Sequence, residues 1–139
     1  STLSENRLIK LGKRGDFGCH LIEHQLGAYT DCNHGQGMAV LQPVYYRHMY
    51  KDGLKKFARF AVNVWHVPNE GRSEAEMAEK GIEKLTEFIH EIGLPATLRE
   101  LGVRDKSVLK KVAGSSHYSM GGYRKLSSEE ILDILTECF

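Results

Sequence analysis

The chain has 139 residues, 41% of them hydrophobic, and 19 Lys and Arg against 18 Asp and Glu leave a formal net charge of +1. That is enough apolar chain for one packed domain, and it excludes a disordered one. The near balance of charge argues against a nucleic-acid or anionic-membrane surface, and no apolar stretch approaches the length of a membrane span.

Taken in order, the segments read as helices almost throughout. The chain opens at Ser1 without a methionine, helix-like sequence begins at once, and the whole reads as a piece of a longer protein. Phe17 to Tyr29 is a helix carrying His20 and His24, and the flanking Leu21, Leu26 and Ala28 suggest that the histidine face is largely buried. Gly35 to about Tyr50 is nearly all apolar and reads as a central helix, with Pro43 expected to kink it because proline offers no N–H to the preceding turn. Leu54, Phe57, Ala58, Ala61, Val64 and Trp65 recur with a period near 3.6 and form an amphipathic stripe. Ser73 to Glu76 is a capping box that opens a long helix, which Gly93 stops with Pro95 just beyond. Thr97 to Glu100 repeats the box ahead of a turn ending near Gly102, and Asp105 is placed to cap a short helix through Val112. A loop follows from Gly114 to Gly122, and a third box, Ser127 to Glu130, leads the last helix. The predicted class is all-α, a bundle-like domain of six or seven helices over residues 1–139. Cys19, Cys32 and Cys138 are odd in number and lack framework spacing, which predicts reduced thiols and a cytoplasmic setting.

Three histidines stand out. His20 and His24 are four residues apart and so share a helix face, and His34 opens the next apolar run. One helix face and the start of the next helix can aim three imidazoles at a common spot, which is the ligand chemistry of a divalent transition metal. His48, His66 and His90 read as ordinary surface or satisfied residues. His20-Leu21-Ile22-Glu23-His24 also spells H-x-x-E-H, the zinc-hydrolase pattern in which both histidines bind zinc and the Glu is the general base. That reading needs a further carboxylate downstream and leaves His34 without a task. A third reading is a non-catalytic helical module for association, in which all three histidines are replaceable.

The stretch from Asp16 to Pro43, DFGCHLIEHQLGAYTDCNHGQGMAVLQP, resembles the iron-containing (group III) alcohol dehydrogenases, most closely their NAD(P)H-dependent butanol dehydrogenase branch. The later runs Gly93-Leu94-Pro95-Ala96-Thr97-Leu98 and Gly121-Gly122-Tyr123 through Ile131 resemble that family's closing segments. The resemblance implies a dehydroquinate synthase-like helical domain. It implies metal ligands at His20 and His34, with His24 near substrate and in proton transfer. Glu23 is read as pointing elsewhere on the helix, in an orienting or structural role, and the loop Ser115–Met120 as a candidate mouth of the substrate cleft. The family's two other ligands, an Asp and a His, belong to the upstream half, as does its nucleotide-binding domain, and neither is in this chain. Asn33 stands where Pro often precedes the ligand histidine, and Phe17 where Trp is frequent. The activity implied is reversible hydride transfer between NADH or NADPH and a small primary alcohol or aldehyde. The cofactors are Fe(II) or Zn(II) and a nicotinamide held mainly by the N-terminal domain. The full-length enzyme is implied to be a homodimer.

Overall fold

A computed structural model describes residues 15–116 and 122–139. The helix-like opening of the chain and loop residues 117–121 lie outside them. Among the described residues there are six α-helices, one 3-10 turn and no strand.

Helix α1 (Gly18–Thr30) begins where Asp16 Oδ1 accepts the N–H of Gly18 at 2.9 Å. It buries Cys19, Ile22, Glu23 and Leu26, spaced i, i+3, i+4 and i+7. It ends at Asp31, whose backbone turns left-handed (φ 54°) and whose N–H returns to Gly27 O at 2.8 Å. An Asp tolerates that region better than most residues do. Two residues on, Asn33 caps α2 (His34–Met49) by accepting the N–H of Gln36 at 3.2 Å. The link between α1 and α2 is therefore only three residues long, and the helices pack as a tight hairpin.

Helix α2 is the central element, packed against α1 and against both helices that carry capping boxes. Pro43 lies inside it and does not end it. A 3-10 turn (Tyr50–Gly53) leads into α3 (Leu54–Asn63), which stops short of Trp65. The indole packs instead edge-on to Phe60, with centroids 5.8 Å apart, and against Phe88 at 5.6 Å. Helix α4 (Glu74–Glu91) starts at the Ser73–Glu76 box and turns off at Gly93, φ 72°. It lies against α3 so closely that a Cβ on Gly81 would sit 3.0 Å from Ala61 Cβ.

Thr97 Oγ1 accepts the Glu100 N–H, but the Glu100 carboxylate accepts the N–H of Ala96 rather than Thr97, so the predicted box is only half made, and on a turn rather than a helix. Helix α5 runs Val108–Ser115, beyond the expected end at Val112. Asp105 does not cap it; its carboxylate accepts the N–H and hydroxyl of Ser107, closing the turn before the helix. Helix α6 (Ser128–Glu137) starts at the complete Ser127–Glu130 box.

One core gathers Ile22 and Leu26 from α1, Leu41 and Tyr45 from α2, Leu109 and Val112 from α5, and Ile131, Ile134 and Leu135 from α6. A smaller cluster of Tyr50, Phe57, Ala78 and Ile82 joins α3 to α4. All three cysteines are free. Burial pushes the Cys138 thiol up to about 12 and raises that of Cys19 further, so both act as small hydrophobes. Among the described residues no helix is long and apolar enough to cross a membrane.

Candidate metal centre

The three-residue link at Asp31–Asn33 folds α2 back along α1 and brings His34, the first residue of α2, beside the α1 histidines. The His20 and His24 ring centroids are 6.1 Å apart, and the His34 ring lies 5.4 Å from the first and 5.2 Å from the second. Asn33 holds φ −63°, the value a proline ring imposes, so Pro or Asn at this position makes the same turn. Asn adds the cap.

Glu23 joins His24 and His34 in the one group, among the described residues, whose donor atoms come together, and His20, though its ring is adjacent, lies outside that group. Nitrogen and oxygen atoms of Glu23, His24 and His34 lie within 4.8 Å of one another. The Glu23 side chain turns inward and Oε2 accepts a hydrogen bond from His34 Nδ1. The sequence reading that Glu23 points away from the site is thus corrected. The signal was present: Glu23 sits on the same helical stripe as Cys19, Ile22 and Leu26. The expected burial of the histidine face is corrected as well. His24 and His34 are exposed, as are Leu21 and Ala28, and His20 is partly buried. The buried stripe is rotated one residue away from the histidines, so the imidazoles line its open edge.

Asp16 is engaged elsewhere. Its carboxylate accepts the N–H groups of Gly18 and Gly122, at 2.9 and 3.1 Å, and the Tyr45 hydroxyl at 3.0 Å. Burial, and then the Asp16 charge, hold Tyr45 above the usual tyrosine range, which keeps it a neutral donor. Beside His20 opens a cleft of about 300 Å³, walled by Met38, Tyr46, Phe57, Phe60 and Tyr123. A larger groove, about 960 Å³ between the end of α2 and α4, contains none of the clustered histidines.

Residues 6–139 match the family model for Fe-containing alcohol dehydrogenases, C-terminal. The chain belongs to that family. It is 34% identical over 143 residues to NADH-dependent butanol dehydrogenase A of Clostridium acetobutylicum, covering all of this chain and 36% of that protein. It is 33% identical over 122 residues to 1,3-propanediol dehydrogenase of Klebsiella pneumoniae, covering 86% of this chain and 31% of that protein. The fold matches the crystal structure of NADH-dependent butanol dehydrogenase A from Thermotoga maritima with a TM-score of 0.85 at 27% identity, over 99% of this chain and 36% of that one. It matches a 1,3-propanediol oxidoreductase with a TM-score of 0.81 at 31% identity, over 88% of this chain and 32% of that one. The chain therefore spans about a third of the length of these relatives.

The residues present fit the iron that the family name implies. Imidazole nitrogens with a nearby carboxylate suit Fe(II) or Zn(II). The three rings lie side by side at one edge of the fold, with His24 and His34 exposed and His20 partly so.

Proposed function

We propose that this chain is the metal-holding domain of a dehydrogenase that interconverts small aldehydes and primary alcohols with NADH or NADPH. The observation that carries the proposal is the convergence of His20, His24 and His34 at one open edge of a chain that belongs to the iron-containing alcohol dehydrogenases. His20 and His34 hold the metal, and an Asp and a His from an N-terminal nucleotide-binding domain complete its ligands. When bound, an Fe(II) or Zn(II) ion supplies Lewis-acid polarisation of the substrate oxygen, and the nicotinamide supplies or accepts the hydride.

His24 is exposed and one helical turn from His20, which suits it to pass the hydroxyl proton to solvent. The cleft beside His20 offers aromatic walls to the carbon chain of the substrate, as expected for an apolar aldehyde such as butanal. The complete protein is proposed to act as a cytoplasmic homodimer. The zinc-hydrolase alternative fares worse: Glu23, its general base, is only 1% exposed and already bonded to His34.

The test is butanal-dependent oxidation of NADH or NADPH by the complete gene product, before and after treatment with a chelator. Turnover that the chelator abolishes and Fe(II) or Zn(II) restores is expected, and the 139-residue chain alone is expected to be inactive. Turnover by the isolated chain, or chelator-resistant turnover by the complete protein, contradicts the proposal.

A further inference from the structure

Among the described residues, Glu23 is the only charged side chain that is buried, at 1% exposure. Such a group is costly without a partner. Its partner is His34 Nδ1. The His34 side chain is itself 53% exposed, so packing does not fix its ring. The bond to Glu23 does. A carboxylate without a proton can only accept, so the hydrogen of a neutral His34 must sit on Nδ1. That leaves the lone pair on Nε2, on the far side of the ring from Glu23.

The neighbouring helix is shaped around this carboxylate. Position 37, one turn into α2, is a buried glycine in the helix interior, where glycine is ordinarily unfavourable. A Cβ there would lie 2.6 Å from Glu23 Oε1, 3.0 Å from its Cγ and 3.2 Å from its Cδ. No side chain fits at residue 37 while Glu23 holds its place.

We infer that Glu23 is the positioning residue of His34: it locks the ring as the Nδ1–H tautomer and presents Nε2 for the metal, and Gly37 is required to leave Glu23 that room. The inference rests on the proposed reading of His34 as a ligand. A carboxylate behind a ligating imidazole both orients the ring and raises its basicity, and losing one typically weakens metal binding ten- to a hundredfold. Because the three atoms nearest a Cβ at residue 37 all belong to Glu23, and alanine offers no metal ligand, its effect on metal affinity is expected to run through Glu23.

The experiment uses the complete protein, stripped of metal and titrated with Zn(II) against a chromophoric chelator. Glu23→Ala is expected to weaken affinity ten- to a hundredfold while keeping the same metal load at saturation, with Glu23→Gln in between. Gly37→Ala is expected to weaken affinity similarly in the wild-type background and to add nothing in the Glu23→Ala background. In the metal-free protein at mildly alkaline pH, nitrogen NMR of labelled histidine is expected to report His34 as Nδ1–H, and as a tautomer mixture in Glu23→Ala. Unchanged affinity in Glu23→Ala and Glu23→Gln, or a wild-type His34 protonated on Nε2, overturns the inference. So does loss of the whole metal load in Glu23→Gln, which makes Glu23 itself a ligand. Additive losses in the double variant overturn the part assigned to Gly37. A His34→Ala variant that keeps full affinity instead sinks the reading of His34 as a ligand.

Discussion

Asp16 ties three parts of the frame around the histidines. It receives the start of α1 through Gly18, the middle of α2 through Tyr45, and the segment before α6 through Gly122. The approach at two of these points is close enough to require glycine. A Cβ on Gly18 would fall 2.2 Å from the Tyr45 hydroxyl oxygen, and one on Gly122 would fall 2.7 Å from Gly15 O. Asp16→Ala strands several donors at once and is expected to cost about 2 kcal/mol, read as a lower urea midpoint, with Tyr45→Phe costing about half as much. An unchanged midpoint in Asp16→Ala contradicts this role. At this scale the histidines were readable because spacing alone puts His20 and His24 together. For Glu23 the stripe it shares with Cys19, Ile22 and Leu26 was a signal of its inward place, set against the default that a charged residue beside a polar edge points outward. Only its partner on the other helix, eleven residues later, accounts for its burial.

Helix ends were the most legible elements, and their chemistry makes stability depend on pH. In both α4 and α6 the N-cap serine accepts an N–H while the glutamate three residues on bonds back to the cap N–H. The Ser127 N–H, and then Arg124, hold Glu130 below the usual carboxylate range, and Ser73 does the same for Glu76. A carboxylate depressed in the folded state adds stability that is fully present above its unfolded value, near 4.5, and lost as pH falls through the folded value. The urea midpoint is therefore expected to fall on acidification below about 4.5, and to fall less steeply in Glu130→Gln. Identical pH profiles contradict the capping account. Ser127→Ala is expected to cost about 1 kcal/mol at neutral pH. Of the boundaries that sequence placed wrongly, one is set by a local turn and one by packing against a distant helix. Asp105 closes a turn with Ser107 instead of capping, and α3 ends early because Trp65 packs sideways onto Phe60 and Phe88.

Over the whole molecule, the all-α class follows from apolar stripes with a helical period and from stops that agree with them. The family follows from the match over residues 6–139. The openness of the histidine edge did not follow from pattern. Leu21, an apolar residue beside His20 on the same helix, is 37% exposed. The central claim is the division of labour among the three imidazoles. It is tested most directly by metal analysis of the complete protein carrying His20→Ala, His24→Ala or His34→Ala. The account expects His20→Ala and His34→Ala to empty or weaken the site, and His24→Ala to keep its metal while turnover falls about a hundredfold. A His24→Ala protein without metal beside a His34→Ala protein that retains it contradicts the account.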